Sequence, residues 1–307
     1  MKKILFSLLA VATLIGCGKN DDNGSDSANL LVKKITEKDE DGNLKEVITL
    51  TYQGGRPVSF SEANYENGVQ TGTTVITNIS YEGNFVKRIK VENARRDNSE
   101  QNFTYKDGKV ATKTEKYERN NYTTTYQYSY AGNQLTNVLK SRPTTIYVNG
   151  DVQSGTYYEE RQFTYRGNTV IEITTRYKKY LNGTVVTDTS YGTNTTTYTL
   201  SNGNVVKEVD EDSYSISIEE YTYDTKPNPL HYMGDLVEPN PTRFLDVLNG
   251  KNNILTYKNT REHNGTKDET LSTFEYTYNA DGYPTVVKQY KVENGTREFQ
   301  GTKEYEY

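Results

Sequence analysis

Residues 103–114 read Phe-Thr-Tyr-Lys-Asp-Gly-Lys-Val-Ala-Thr-Lys-Thr. Phe103 and Tyr105 alternate with Thr104, and a period of two puts the rings on one face of a strand and the hydroxyl on the other. Asp107-Gly108 then breaks the alternation. An Asp-Gly step between alternating runs signals a two-residue hairpin, because a type I′ turn needs positive φ at both central residues. The segment predicts strand, tight turn, strand.

The arrangement recurs along the chain. Tight turns directly follow an aromatic strand end at Tyr81-Glu-Gly-Asn, Tyr130-Ala-Gly-Asn, Tyr165-Arg-Gly-Asn and Tyr278-Asn-Ala-Asp-Gly, with Tyr52-Gln-Gly-Gly-Arg and Leu200-Ser-Asn-Gly-Asn as variants. Between them lie Asn67-Gly68, Asn149-Gly150, Asn182-Gly183, Asn264-Gly265 and Asn294-Gly295. Turns at both ends of successive strands describe a meander. Tyr126, Tyr128 and Tyr130 share a face, as do Phe163 and Tyr165, Tyr221 and Tyr223, and Phe274, Tyr276 and Tyr278. Rings at equivalent places are expected to stack into a ladder across the sheet and to supply its main apolar surface. A ladder that recurs in every unit reads as the core of the fold rather than a ligand platform. The runs between turns give roughly 16–19 strands in one all-β antiparallel meander, a number at which a closed barrel leaves an open lumen. Closure into a large soluble barrel would remove the bare edges of a flat sheet. The alternative is an open single-layer twisted sheet.

Composition agrees. Hydrophobic residues make up 33% of the chain, below the usual ~45–50%, yet the 28 tyrosines and abundant Thr favour strands over disorder. With no Trp and few large aliphatics, a conventional two-layer core is not expected. The formal charge is −5, and there is no basic run to track phosphates, so nucleic acid is not an expected partner.

The first residues stand apart. Lys2 and Lys3 precede an apolar run from Ile4 to Ile15, too short for a bilayer span, which needs ~20 residues, but the length of a secretory leader. Leu14-Ile15-Gly16-Cys17 resembles the lipobox of bacterial lipoproteins. That resemblance implies cleavage between Gly16 and Cys17 and a diacylglycerol on the Cys17 sulfur, so that the membrane is a partner through lipid. Cys17 is the only cysteine, which rules out an internal disulfide. Loss of Lys2 and Lys3 with the leader takes the balance to 34 basic against 41 acidic residues, or −7. Residues 18–29, polar and rich in Gly, Ser and Asp, read as a flexible tether. Within them Lys19, Asp21 and Asp22 resemble the export tag of Bacteroidota surface lipoproteins, interrupted by Asn20. They read equally well as a solvated linker. Gly18 is not the Asp of the enterobacterial inner-membrane retention signal. The expected organisation is leader 1–16, lipidated tether 17–29 and one hairpin-repeat domain 30–307. The expected place is the outer membrane, at the cell surface or otherwise on the periplasmic face.

One stretch, 224–253, breaks the rhythm with four of the seven prolines. Within it Asn240-Pro241 to Gly250 reads as a short helix, with Asn240 as N-cap, Pro241 at N1, Gly250 past the end and Phe244, Leu245 and Leu248 as its apolar stripe. Such an insert covers one end of a sheet or carries binding.

No chemistry stands out. His231 and His263 lie on different segments without ligands at metal spacing, so neither metal nor cofactor is expected. Nucleophile-elbow, phosphate-loop and dinucleotide motifs are absent. The adjacent pairs Glu159-Glu160 and Glu219-Glu220 point to opposite faces of a strand and form no acid–base couple. The run Thr184–Leu200 offers Thr on one face and Val, Asp, Ser, Gly and Asn on the other. Neither face suits hydrocarbon, although the terminal Tyr307 is similar to the last aromatic residue of outer-membrane barrels.

The units Tyr278-Asn-Ala-Asp-Gly-Tyr-Pro-Thr-Val-Val-Lys and Tyr105-Lys-Asp-Gly-Lys-Val-Ala-Thr-Lys-Thr look like tyrosine-aspartate (YD/RHS-like) hairpin repeats. Over about residues 30–307 the chain resembles a family of Bacteroidota lipoproteins of unknown function. There, repeats precede a segment like Asn228-Pro229-Leu230 and a stretch like Leu248 to Ile254. The match departs at Leu200 and Tyr257. The resemblance implies a porin-like, large antiparallel barrel and no assigned activity. The expected function is non-catalytic, namely binding of a glycan or surface protein, or a structural part. The alternative is an extracytoplasmic hydrolase using dispersed carboxylates.

Overall fold

The computed structural model describes residues 31–93, 97–120, 122–148, 151–180, 185–187, 193–212, 214–231 and 241–307. The strands are β1 (Lys34–Lys38), β2 (Leu44–Gln53), β3 (Arg56–Glu66), β4 (Val69–Glu82), β5 (Phe85–Glu92), β6 (Ser99–Lys106) and β7 (Lys109–Tyr117). Then come β8 (Thr123–Ala131), β9 (Gln134–Val148), β10 (Asp151–Arg166), β11 (Thr169–Tyr180), β12 (Val185–Thr187) and β13 (Thr193–Ser201). The last are β14 (Asn204–Glu211), β15 (Ser215–Pro227), β16 (Asn252–His263), β17 (Thr266–Tyr278), β18 (Pro284–Glu293) and β19 (Thr296–Glu306). Each pairs antiparallel with the next. β12 and β13 share one place, pairing with the two ends of β11. β19 pairs with β1, Glu37 facing Lys303 and Ile35 facing Tyr305. The meander is therefore a closed all-β antiparallel barrel of 18 strand positions, and the open sheet is excluded. At the seam Gly301 has φ +135, and a Cβ there would lie 2.2 Å from the Lys38 carbonyl oxygen, so only glycine fits the closure.

The tight turns come in two forms. Gly54-Gly55, Asp107-Gly108 and Asn202-Gly203 have positive φ at both central residues, as type I′ requires. Gly83, Gly132 and Gly167 have it at the first position only, the pattern of type II′. At the other end Asn67-Gly68, Asn264-Gly265 and Asn294-Gly295 are type I′ in φ, while Asn149-Gly150 and Asn182-Gly183 lie outside the described residues. The register slips at Thr51/Tyr52, Ser80/Tyr81, Thr104/Tyr105, Ser129/Tyr130, Thr199/Leu200 and Thr277/Tyr278, just before a tight turn, and at Thr222/Tyr223 before the insert, while the Tyr165 hairpin keeps its register. A bulge re-aims the side chain that follows it.

What the re-aimed tyrosines do differs from the expected ladder. Tyr278 donates to the Asp224 carboxylate, and the hydroxyls of the tyrosines named next donate to a backbone carbonyl at or just before the start of the preceding strand. Tyr52 reaches Val32, Tyr81 reaches Pro57, Tyr105 reaches Val86, Tyr130 reaches Val110 and Tyr165 reaches Leu135, at 2.7–3.0 Å. Tyr223 reaches Val205, Tyr276 reaches Ile254 and Tyr307 reaches Pro284, at 2.5–2.8 Å. Equivalent tyrosines sit two strands apart, about 9.6 Å, beyond stacking reach. They staple hairpins and form no ladder with one another. Burial pushes the Tyr52, Tyr81 and Tyr165 hydroxyls up to about 12, so they remain donors at neutral pH. Where Leu200 replaces the tyrosine, the insert takes its place.

The buried face is the inner one, and its apolar part is mostly aliphatic. Ile35, Ile48, Leu50, Phe60, Ile79, Val86, Ile89, Phe103 and Val110 form one cluster. Leu135, Val138, Phe163, Val170, Tyr198, Val205 and Leu245 form the other, with half-buried tyrosines packed against both. The expectation that rings supply the main apolar surface is corrected here, because a phenol deep in the core would leave its hydroxyl without a partner. Along each strand the inner face passes from apolar at the tight-turn end to polar beyond. β10 runs Tyr165, Phe163, Arg161, Glu159 and Tyr157, and β2 runs Tyr52, Leu50, Ile48 and Glu46.

The outer face carries charged and polar residues in every sector described, with apolar side chains such as Ile173, Ile216, Leu271 and Val292 among them. One row of directly paired residues runs Thr51, Ser59, Asn78, Lys90, Glu100 and Lys116. Another runs Lys207, Glu220, Lys258, Leu271, Val292 and Arg297. A lipid-facing Lys or Arg at the bilayer midplane costs roughly 2–4 kcal/mol, so this wall is built for water. No described helix is long and apolar enough to cross a membrane.

The insert closes the tight-turn end. It contains two 3-10 turns, Arg243–Leu245 and Val247–Asn249, not the expected helix from Asn240 to Gly250. Asn240 lies outside the described residues, and Asp246 is the cap that accepts from the Leu248 N–H at 3.0 Å. With three residues per turn the expected stripe splits. Leu245 is buried, while Phe244 and Leu248 are 40% and 44% exposed. Asparagines lock the insert down: the Asn228 amide bonds the Leu248 and Gly250 carbonyls at 2.8 and 2.9 Å, and Asn253 bonds Asp224. Phe244 stacks on Tyr165 at 6.2 Å beside Leu200.

Candidate functional site

Gly16 and Cys17 lie outside the described residues. His231 Nδ1 contacts the Asn249 carbonyl at 2.7 Å and His263 Nδ1 contacts that of Tyr214 at 3.1 Å, so both serve the backbone. No group of three metal-binding side chains forms among the described residues. The acidic pairs split as expected. Glu159 points inward to Arg176 at 3.1 Å, while Glu160 on the outer face accepts from Asn137 at 2.7 Å. Glu219 is inward, and Glu220 lines an outer-face cleft of about 310 Å³ with Lys207, Lys258 and Glu262.

Three polar groupings occupy the inner face beyond the apolar layer. The first spans the seam. Lys303, 3% exposed, lies 3.5 Å from Glu37, which pairs in register with Glu46. Burial, then the nearby Glu62 charge, pushes the Glu46 carboxyl up to about 8, and burial pulls Lys303 down to about 8.

The second is acidic. Glu208 on β14 faces Glu219 on β15. Burial, followed by the charges of Glu219 and Asp210, pushes Glu208 up to about 7. The Tyr221 hydroxyl donates to Glu219, Asn259 donates to it at 3.0 Å, and the Tyr221 and Tyr257 rings stack at 5.3 Å.

The third is basic and aromatic, on β7 to β11. One paired row runs Lys113, Tyr126, Lys140, Glu159 and Arg176. Lys113 and Lys140 lie 4.4 and 5.9 Å from the Tyr126 ring. Arg161 grips Glu172 through two bonds of 2.6 and 2.8 Å. Spacing along the chain carries no sign of these groupings, since each joins residues from separate hairpins. The inward parity of each residue is legible there, and its neighbours are not.

No protein-family model matches the chain, and no curated protein matches it. Among solved structures, a porin-like protein from Bacteroides uniformis is similar at 15% identity, covering 90% of this chain and 97% of that one, with a TM-score of 0.42. A porin-like protein from Bacteroides vulgatus is similar at 14% identity, covering 91% and 98%, also at 0.42. Likeness at that level carries no information on function.

Proposed function

We propose that this chain is a lipid-anchored bacterial envelope protein whose barrel binds glycan or another macromolecule without catalysis. The observation that carries the reading is the outer wall. Its rows of Thr, Asn, Lys and Glu cannot rest in hydrocarbon, so attachment has to come from elsewhere. The lipobox-like Leu14–Cys17 and the tether 18–29 supply it, with two or more acyl chains holding what one would not. β1 begins at the closed end, where Lys33 N–H bonds the Glu306 carbonyl at 2.7 Å. A tether entering there leaves the polar, ring-lined mouth facing away from the membrane. The resemblance to tyrosine-aspartate repeat lipoproteins of Bacteroidota points to the outer membrane and its surface. No cofactor or nucleic acid enters this reading.

Cells fed an alkyne palmitate test the anchor. The full chain is expected to take up label and fractionate with outer membrane, and Cys17→Ser to lose both. A Cys17→Ser chain that stays in the membrane would overturn it. Binding is tested with the lipidated chain in detergent on a glycan array, where silence across all glycans would end the sugar version.

The hydrolase reading has one observation in its favour. Glu208 and Glu219 sit opposite each other on neighbouring strands, which brings their Cβ atoms to about 5 Å, and the raised Glu208 is a proton donor in form. Turnover of a glycoside that Glu208→Gln abolishes, with the fold intact, would establish it.

A further inference from the structure

We infer that the basic wall at the mouth takes an acidic glycan, its carboxylate or sulfate groups on Arg142 and its sugar rings against Tyr122 and Tyr157. This rests on the glycan-binding reading and names the ligand class.

Arg142 on β9 projects inward between two rings. Its guanidinium carbon lies 5.7 Å from the Tyr122 ring centre and 5.2 Å from that of Tyr157, and Nη1 donates to the Tyr122 hydroxyl at 2.9 Å. All three side chains are half-buried. Tyr122 belongs to the connection between β7 and β8, so the trio sits at the level of that rim, while the β9–β10 hairpin continues past it to Val148. Tyr157 pairs in register with Arg142 on one side and Lys178 on the other.

The charges on this wall are unequal. Among the side chains described from Lys113 to Lys178, six cations face inward against three carboxylates, Glu115, Glu159 and Glu172. Each of those carboxylates is engaged. Glu172 is held by Arg161, Glu159 by Arg176, and Glu115 by the Tyr117 and Tyr126 hydroxyls at 2.9 and 3.2 Å. Among the described residues no carboxylate pairs with Arg142. A guanidinium has five N–H donors in a planar fork that matches a carboxylate or sulfate, and the rings on either side hold that fork in place.

Cations between rings also suit single-stranded nucleic acid. Two features favour the glycan. The mature chain is net acidic, and the Glu208, Asp210 and Glu219 carboxylates share the same lumen, which opposes a polyphosphate backbone more than a glycan whose charges are spaced by whole sugar rings.

The test uses the full lipidated chain in detergent and affinity electrophoresis with polygalacturonate, its fully methyl-esterified form, dextran sulfate, dextran and oligo(dT). Polygalacturonate or dextran sulfate is expected to bind, more weakly as NaCl rises, and the neutral partner of each not to. Arg142→Ala is expected to weaken binding about tenfold and Arg142→Gln similarly, each with unchanged thermal unfolding, while Arg88→Ala on the outer wall leaves it intact. Acidic-polymer binding indifferent to Arg142 would overturn the inference, as would stronger binding of oligo(dT). Binding of neutral polymers alone would overturn it and leave the glycan reading standing. Silence of every polymer would bring down both.

Discussion

The two ends of the barrel are made from the same strands and differ in almost everything else. At the tight-turn end most hairpins finish in a bulge, a ring and a carbonyl that a ring's hydroxyl reaches, over a layer of Ile, Val, Leu and Phe. At the mouth the same alternation delivers Arg, Lys, Glu and Tyr to the inner face, joined by ion pairs and ring contacts. One end is organised by burial, which rewards uniformity from hairpin to hairpin. The other is organised by charge, which varies from wall to wall. Stability should therefore concentrate at the closed end, and binding at the mouth.

Four substitutions grade that contrast. Phe103→Ala empties a side chain that is 1% exposed in the closed-end cluster and is expected to cost about 3–5 kcal/mol in urea unfolding. A loss below about 1 kcal/mol would mean the apolar layer does not hold the barrel.

Glu46→Gln probes the border between the two ends through pH. The folded carboxyl is pushed up to about 8 from an ordinary 4.5, so the folded state binds its proton more tightly than the unfolded one. Stability is then fully present below about 4.5 and declines as pH rises through 8. The wild type should be more stable at pH 5 than at pH 8, and Glu46→Gln should remove roughly 1–2 kcal/mol of that difference. Parallel pH profiles for the two chains would contradict the shift.

Tyr81→Phe removes one staple to the Pro57 carbonyl while keeping the ring. Its cost is expected at about 1 kcal/mol, read as a shift in urea midpoint at constant slope. Arg142→Ala at the mouth should move the same midpoint by less than about 0.5 kcal/mol. If the mouth substitution cost more than the staple, the contrast between the ends would be reversed.

Much of the closed end is legible in the amino-acid sequence. The Asp-Gly and Asn-Gly steps set the hairpins, because few residues tolerate positive φ, and the period of two assigns Tyr126, Tyr128 and Tyr130 to one face. The helix expected from Asn240 to Gly250 failed where packing against Leu200 and Tyr165 tightened the chain into 3-10 turns. The ladder failed because equivalent rings are two strands apart, a distance that a repeat in sequence does not reveal.

Strand, turn and face follow from the order of residues alone, through backbone φ preferences and side-chain alternation within a few residues. The folded barrel adds that the meander closes through Glu37 and Lys303, that Gly301 sits where no Cβ fits, and that Arg142 lies between Tyr122 and Tyr157. Those contacts join residues up to a whole chain apart, and their geometry depends on barrel closure and strand register, which no local pattern encodes.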